Sequence, residues 1–349
     1  MISKLRNIFL MVAFALVGFS CAESIETDYT EVELTSFDKW MAKYYPEYPK
    51  VTDGLYYKIV KGDNPNGYTP DSIADWIYVN YTGQDLEGNY FANTYVPLAK
   101  HLGTYANTTH FVPLVSSYQY SSTILTTGAL YALAEMQEGD SVDIFMSSDW
   151  IGSTANAAPY TGFEGNLYSA PESGPARVSL KFESMTSNPS KDGYEAVERY
   201  AMDTLGLTLA DSLETGIYYK LLVENPEGDT IPTDSSVYLI YTGMFLDGFV
   251  FDTNDEDVAD SLDVDYSDDS GSYSPIIFSY SGVDDSGDYV DGFAAVTKKL
   301  RVGETAICVF TSENGYGAYG STSGNTIIQP YDPLVFKIKV LTEDEMDDY

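Results

Sequence analysis

Residues 241–252, which read YTGMFLDGFVFD, determine the fold that we predict for the C-terminal half of this chain. An alternating strand leads into them, so Val237 and Tyr241 share one face, because successive strand side chains point to opposite sides. The Leu-Asp-Gly turn is expected to reverse the chain. The returning strand then brings Phe251 and Asp252 near Tyr241. The stretch thus predicts two aromatic rings and one carboxylate on a concave, mostly apolar surface.

Further motifs follow downstream in a fixed order. Residues 289–293 read Tyr-Val-Asp-Gly-Phe and open a predicted helix, and a Val-Gly pair follows at 302–303. A Gly-Tyr-Gly loop occupies 315–317, and Ile-Ile-Gln-Pro occupies 327–330. The last predicted strand, 334–340, alternates apolar and polar side chains. Each motif alone is a moderate signal, and their joint order is specific.

This ordered set resembles the FKBP-type peptidyl-prolyl isomerases over roughly residues 215–342. Two positions depart from the family pattern: Phe293 stands where the family has a tryptophan, and Ile276 where it often has an aromatic residue. The resemblance implies a curved antiparallel sheet around one short helix, with a pocket between them that acts on X-Pro bonds. The residues that fall on the pocket positions of the family are Tyr241, Phe251, Asp252, Val290, Phe293, Tyr316, Ile328 and Phe336.

The resemblance also implies how these residues act. Amide resonance gives the X-Pro bond a rotation barrier of about 18–20 kcal/mol, and a pocket that favours the twisted amide lowers it without any nucleophile. The apolar side chains would hold the proline ring. The Tyr316 hydroxyl and the Val290 N–H would hold the substrate backbone, and Asp252, beside Tyr241, would fix the polar network of the pocket.

Each of these residues also has a plainer interpretation. Strand aromatics such as Tyr241, Phe251 and Phe293 commonly fill a core. Asp252 could cap a turn, which is a common position for aspartate. Tyr316, between two glycines, could be a loose surface residue.

The chain repeats itself with a period of about 160 residues, which indicates a tandem pair of domains. We therefore predict an α+β protein with two FKBP-like domains, each preceded by a helical segment. Repeat one lacks the carboxylate, the floor and two aromatic walls of the pocket, so we interpret it as a degenerate copy kept for binding or spacing. The counterparts of Asp252, Phe293, Tyr316 and Phe336 in repeat one are Ala92, Ala129, about Gly152 and Val178.

Helical spacing and breakers set the predicted organisation. Ser36 is predicted to cap a helix that runs through Tyr44 before Pro46, and residues 188–193 are predicted to be a linker before a helix at 194–209. The predicted segments are a signal peptide at 1–20, a tether at 21–34, a degenerate FKBP-like domain at 35–187, a linker and helix at 188–214, an isomerase domain at 215–342 and an acidic tail at 343–349.

The N-terminus resembles a bacterial export signal. A charged start with Lys4 and Arg6 precedes an apolar run at 8–17 that is too short to span a bilayer permanently. Cys21 would be the lipidated first residue of the mature protein, and plain secretory cleavage after Ser20 is the alternative. We expect a lipid anchor in the cell envelope, on the periplasmic or the surface face of the outer membrane, as the only membrane contact.

The charge balance restricts the partners. The chain has 18 basic and 53 acidic residues, a net charge of −35, and no Lys, Arg or His between residues 221 and 297. Nucleic acid is excluded as an expected partner, because phosphate binding requires Lys and Arg. The expected partners are proline-containing polypeptides, and the field of the protein favours cationic ones. The sequence leaves the oligomeric state open.

We predict no cofactor and no metal. His101 and His110, the two histidines, have no matching Cys or His set that would form a zinc site. The acidic insertion at 254–274 echoes the start of a calcium loop, but it lacks the sharp-turn glycine and the closing glutamate. A weak calcium site there is an alternative to a solvated acidic flap. Cys308 lies in an apolar run and is expected to be a buried, inert thiol.

The leading hypothesis is a secreted, lipid-anchored prolyl isomerase with folding-helper character, whose activity lies in repeat two. One alternative is a non-enzymatic envelope protein that displays acidic loops on two FKBP-like scaffolds, because fold alone does not fix function. A second alternative is a calcium-dependent surface adhesin.

Overall fold

The structure is a computed structural model that describes residues 29–71, 75–118, 125–151, 174–266, 273–280, 289–324 and 326–346. The predicted signal peptide, Cys21 and the counterpart of Tyr316 near Gly152 lie outside the described residues. The chain divides into two compact units, Met1–Tyr48 and Pro49–Tyr349. None of the helices described in these ranges has the length and apolar character needed to cross a bilayer.

The first unit contains one described helix, α1, at Tyr29–Tyr44. The prediction that Ser36 caps this helix is wrong, because the helix begins seven residues earlier and Ser36 lies inside it. Residues 29–35 contain no Gly or Pro that would stop a helix, and Glu and Leu are good helix formers. The predicted end at Tyr44 is confirmed, since the residues next to Pro46 disfavour helical geometry.

The second unit contains two seven-stranded sheets, and every strand pair in the described residues is antiparallel. Their strand orders are β1-β2-β6-β7-β3-β4 and β8-β9-β13-β14-β10-β11, with β5 on β3 and β12 on β10, so the two repeats share one topology and neither sheet closes into a barrel. The α+β prediction with tandem domains is confirmed. The strands of repeat one are β1 Lys50–Thr52, β2 Leu55–Val60, β3 Trp76–Asp85, β4 Tyr90–Asn93, β5 Leu114–Ser117, β6 Ser141–Met146 and β7 Ala176–Thr186. The strands of repeat two are β8 Ser212–Glu214, β9 Ile217–Val223, β10 Ser235–Met244, β11 Val250–Thr253, β12 Ile276–Tyr280, β13 Thr305–Phe310 and β14 Leu334–Val340.

Each repeat carries more than the single short helix that we predicted. The helix that packs across the sheet is α3 in repeat one and α7 in repeat two, and the others lie in connections. The helices of the second unit are α2 Val96–Leu102, α3 Thr127–Leu133, α4 Ser148–Ile151, α5 Pro189–Asp203, α6 Glu256–Leu262, α7 Asp291–Thr297 and α8 Glu343–Met346.

The connection between the repeats is helical from its start. The predicted linker at 188–193 is wrong, because α5 begins at Pro189 and ends at Asp203 instead of residue 209. The Asn188 side chain accepts a hydrogen bond from the Lys191 N–H, and Pro189 occupies the first helical position, which requires no N–H donor. The Asn-Pro pair that we interpreted as a turn is therefore a helix cap. Helix α5 packs Val197 and Ala201 against the outer face of the second sheet.

Strand register shows that the two repeats correspond residue by residue. Gly83 pairs with Ala92 across β3 and β4, as Gly243 pairs with Asp252 across β10 and β11. On the other side of the same strands, Gly83 pairs with Val178, and Gly243 pairs with Phe336. The sheets thus place Ala92 and Val178 where repeat two has Asp252 and Phe336.

The core of repeat two lies between its sheet and α7. Cys308 is fully buried in this core, and burial raises the pKa of its thiol to about 12, so the predicted buried thiol is confirmed. Part of the acidic insertion forms α6, which Asp255 caps by accepting a hydrogen bond from the Val258 N–H. Residues 267–272 of the insertion lie outside the described residues. No cluster of three or more potential metal ligands occurs in the part of the chain that the structure describes.

Candidate functional site

The hairpin of β10 and β11 brings a tyrosine and a carboxylate together. The Tyr241 hydroxyl donates a hydrogen bond of 2.6 Å to Asp252 Oδ2. A register shift follows Gly243, where an added Cβ would lie 2.6 Å from the Phe251 ring and 3.0 Å from the Phe336 ring. A glycine is therefore required for the two rings to lie against the strand. The predicted return of Phe251 and Asp252 to Tyr241 is confirmed.

An open hollow of about 520 Å³ lies between the sheet and the start of α7. Its volume is in the range of pockets that hold small molecules or short peptide segments. Seven of the eight predicted site residues line it. The complete lining is Tyr241, Phe251, Asp252, Ile276, Tyr289, Val290, Asp291, Phe293, Gly315, Tyr316 and Phe336.

Phe336 lies at the centre of the aromatic wall. Its ring centroid is 5.2 Å from that of Phe293, 5.6 Å from that of Phe251 and 6.1 Å from that of Tyr241. Behind it, Phe310 stacks at 5.7 Å with nearly parallel planes. Edge-to-face and offset contacts at these distances are favourable for aromatic rings. The wall is thus held by ring packing and presents an apolar surface to the hollow.

Burial controls the electrostatics of the hollow. It raises the pKa of Asp252, and the hydrogen bond from Tyr241 opposes this only in part. Burial and the nearby Asp252 carboxylate both raise the pKa of Tyr241 and of Tyr316, so both phenols stay protonated. The hollow therefore combines a buried aromatic wall with the hydroxyls of Tyr241 and Tyr316 and with two carboxylates, the partly buried Asp252 and the exposed Asp291.

Ile328 is the one predicted site residue that does not line the hollow. It is buried in the core of repeat two, and its N–H and C=O pair with the backbone of Ser321. Tyr289 and Asp291, to which we assigned no role, do line it. Tyr289 stacks on Phe293 with centroids 5.4 Å apart and donates a hydrogen bond to the Ile277 carbonyl. The signal that could have identified Tyr289 is its position two residues before Asp291, the first residue of the helix.

Repeat one keeps the backbone frame of this hollow without several of its side chains. Ala129 and Phe293 occupy the same position at the start of α3 and α7, three residues after the caps Thr126 and Val290. Tyr81 is retained and is buried in the core of its repeat. Small side chains thus stand where repeat two has its floor and its carboxylate, as the repeat comparison predicted.

The loop that carries Ile328 also holds a carboxyl group with an unusual pKa. Burial raises the pKa of Asp332 to about 7, although its side chain accepts a hydrogen bond of 2.8 Å from the Gln329 N–H. In the unfolded chain an aspartate titrates at about 3.9. Between these two values the folded protein holds a proton that the unfolded chain has lost.

We therefore expect Asp332 to make the wild-type protein lose stability as the pH rises. Its contribution to the free energy of unfolding is fully present below about pH 4 and is lost as the pH rises through about 7. In urea unfolding, the free energy of unfolding of the wild type should fall relative to that of Asp332→Asn as the pH rises from about 4 to about 7. Asp260→Asn, an exposed carboxylate, is the control and should show a constant difference. A constant difference for Asp332→Asn as well would contradict the assignment.

Residues 228–341 match the sequence profile of the family described as FKBP-type peptidyl-prolyl cis-trans isomerase. None of the curated proteins compared with the chain matches it.

Three solved structures are among those to which the chain is similar. The three FKBP domains of wheat FKBP73 share 16% identity over 83% of this chain and 94% of their own, with a TM-score of 0.29. A peptidyl-prolyl cis-trans isomerase from Pseudomonas syringae pv. tomato shares 20% identity over 45% of this chain and 94% of its own, with a TM-score of 0.33. The N-terminal domain of FKBP42 from Arabidopsis thaliana shares 17% identity over 38% of this chain and 88% of its own, with a TM-score of 0.28.

Proposed function

We propose that this chain is a prolyl isomerase whose activity resides in the hollow of repeat two, which lies within the residues 228–341 that match the FKBP-type peptidyl-prolyl cis-trans isomerase profile. The observation that carries the proposal is the open aromatic hollow of about 520 Å³ with a single hydrogen-bonded Tyr241–Asp252 pair in its wall. Repeat one has alanines at the positions of Asp252 and Phe293 and takes no part in the chemistry.

The aromatic wall would hold the proline ring. Phe251, Phe293 and Phe336 meet edge to face and leave an apolar surface between them. A proline ring packed there loses water contact, and so does the peptide bond that precedes it. The planar amide carries more charge on its oxygen than the twisted amide does, so a dry surrounding disfavours the planar form more. The difference lowers the rotation barrier, because catalysis requires tighter binding of the twisted than of the planar amide.

The polar groups would orient the substrate. The Tyr316 side chain is 39% exposed at the mouth of the hollow, so its hydroxyl can reach a peptide that enters from solvent. Asp252 holds the Tyr241 hydroxyl at 2.6 Å and thereby fixes the ring that contacts Phe293 and Phe336. In this mechanism no covalent intermediate forms, and no group transfers a proton to the substrate.

The protein would act as a folding helper at the cell envelope. The apolar segment at 8–17 and Cys21 support export and lipid anchoring, and the net charge of −35 supports work on neutral or cationic unfolded chains. Fractionation of membranes from cells that produce the wild type or Cys21→Ser tests the anchor. A variant that stays in the membrane fraction would refute it.

The full chain is expected to accelerate cis–trans isomerisation of a short proline-containing peptide in a protease-free assay. Tyr316→Phe should lower kcat/KM about fivefold, the equivalent of one hydrogen bond of about 1 kcal/mol. The matched control is Tyr319→Phe, because Tyr319 is 93% exposed and lies outside the hollow. Isomerisation no faster than in buffer would remove the enzymatic proposal. It would favour the non-enzymatic scaffold, whose binding to cationic ligands should weaken with salt.

A further inference from the structure

A segment of repeat one, residues 104–115, lies against two elements that border the hollow of repeat two. The first is the turn at 245–249 between β10 and β11, which precedes Phe251 and Asp252. The second is the loop at 326–331, which precedes β14 and Phe336. We call this set of contacts the rim contact. Three side chains carry its described interactions, and they are His110, Thr326 and Gln329. Two neighbouring contacts also join the repeats: Asn107 donates to the Leu262 and Asp263 carbonyls, and Tyr331 packs on Trp76.

At the turn, an imidazole of repeat one lies between two rings of repeat two. The His110 centroid is 4.5 Å from that of Phe245, with nearly parallel planes, and 4.6 Å from that of Phe249. Its Nε2 lies 2.8 Å from Asp247 Oδ2. Burial by itself raises the pKa of Asp247, but the contact with His110 and the backbone hydrogen bonds together outweigh it and hold this pKa below its usual range. Phe245 in turn lies 5.1 Å from Phe251, so the stack ends at a wall of the hollow.

At the loop, one buried carboxamide joins the backbones of the two repeats. Gln329 Oε1 accepts a hydrogen bond of 2.7 Å from the Val115 N–H, and its Nε2 donates one of 3.0 Å to the Pro113 carbonyl. The side chain is only 5% exposed. Thr326 adds a hydrogen bond of 2.6 Å from its hydroxyl to the Thr108 carbonyl. Both the donor and the acceptor of the carboxamide are therefore used across the contact, so a substitution leaves buried backbone groups unpaired.

The same loop is held in a backbone conformation that is unusual for its residues. Tyr331 has φ = 64°, in the left-handed region that bulky residues avoid. Its ring packs edge to face on Trp76 of repeat one at 4.9 Å, and its N–H donates to the Gly317 carbonyl. Such a conformation persists only when surrounding contacts impose it. Here those contacts come from repeat one and from the loop that bears Tyr316.

We propose that repeat one is a positioning module for the isomerase site, and that His110 and Gln329 act as positioning residues by fixing the turn and the loop at its edge. The expected effect on catalysis rests on the proposed isomerase activity, whereas the positioning of the turn and the loop does not. Repeat one touches the Phe251 side of the hollow through Phe245, and the start of β14 through the loop. A shift of about 1 Å in groups that bind the reacting bond can cost up to 100-fold in rate.

The test uses the full chain and four variants: two rim variants, one matched control and one variant that keeps a ring at position 110. Gln329→Ala removes both backbone contacts, and His110→Ala removes the stacked ring. Asn225→Ala is the matched control, because the Asn225 carboxamide also donates to a backbone carbonyl, that of Val302, but within repeat two and away from the hollow. His110→Phe keeps a ring between Phe245 and Phe249, so it should reverse the losses caused by His110→Ala.

We expect faster amide hydrogen exchange at 245–253 and 326–332 in Gln329→Ala and His110→Ala than in Asn225→Ala. Under conditions where circular dichroism shows all variants folded, kcat/KM should fall about fivefold, mainly through kcat, in the two rim variants alone. If amide hydrogen exchange at 245–253 and 326–332 is as slow in Gln329→Ala as in Asn225→Ala, the positioning role is wrong. It is also wrong if the wild type is active and both Gln329→Ala and His110→Ala keep the wild-type kcat. If the wild type shows no isomerase activity, the proposed function is wrong, and the exchange pattern still decides whether repeat one fixes the rim.

Discussion

Phe336→Ala is expected to lower the free energy of unfolding by about 3–5 kcal/mol, the typical cost of removing a buried aromatic ring. The Phe336 side chain is 6% exposed and its ring lies within 6.1 Å of four others. Removing it deletes the common neighbour of Phe251, Phe293 and Phe310. The surrounding rings can close the space only in part, because strand pairing holds the backbones of Tyr241, Phe251 and Phe310 in the sheet. Urea unfolding at constant pH measures the loss.

Two substitutions serve as controls for Phe336→Ala. Tyr319→Ala removes a tyrosine that is 93% exposed and should change stability by less than about 0.5 kcal/mol. Phe336→Leu refills part of the space and should cost less than the alanine variant. A loss below about 1 kcal/mol for Phe336→Ala would mean that the aromatic wall is not packed as the structure shows.

Asp252→Ala is expected to lower kcat/KM of the isomerase at least tenfold, which corresponds to about 1.4 kcal/mol of transition-state stabilisation. The variant leaves the Tyr241 hydroxyl without its partner at 2.6 Å and frees the ring that contacts Phe293. Asp252→Asn keeps an acceptor for that hydroxyl and should lose less activity. Asp257→Ala, an exposed carboxylate on α6, is the control for the change in net charge and should behave as the wild type.

The pH dependence separates an electrostatic role of Asp252 from a purely geometric one. Burial raises the pKa of Asp252, so its ionised form should be lost on acidification at a higher pH than for an ordinary aspartate. Wild-type kcat/KM should therefore fall as the pH drops through this raised pKa, and the Asp252→Asn profile should be flat there. Parallel profiles would show that the charge of Asp252 does not contribute. Full activity of Asp252→Ala would exclude the carboxylate from the site altogether.

The two repeats show that the same fold can carry different side chains at the position of the site. Gly83 and Gly243 hold the same place in their sheets, and each lies against a phenylalanine, Phe91 or Phe251. The sheet register is the same in both, yet the strand partner of the glycine is Ala92 in one and Asp252 in the other. Backbone pairing requires only strand geometry, whereas the hollow requires particular side chains. The same backbone frame therefore occurs in both repeats although the side chains at the hollow differ.

Local rules predicted some boundaries and failed at others. The end of α1 at Tyr44 followed from Pro46, but its start did not, because residues 29–35 contain no Gly or Pro that would mark a boundary near Ser36. The Asn188-Pro189 pair has two interpretations, a turn or a helix cap, and only the packing of Val197 and Ala201 on the second sheet selects the cap. Local propensities are weak where tertiary burial decides between alternatives.

The sequence by itself determined the hairpin and the core of the site. Alternation with period two places Tyr241 on one face, and the turn returns Phe251 and Asp252 to it, so contacts between neighbouring strands follow from spacing along the chain. Only the tertiary structure decided that Ile328 lies outside the hollow, that Tyr289 lines it, and that His110 and Gln329 each contact the other repeat. Those contacts join segments up to 216 residues apart, and no periodicity specifies which distant surfaces meet, because that choice depends on the summed burial of both repeats.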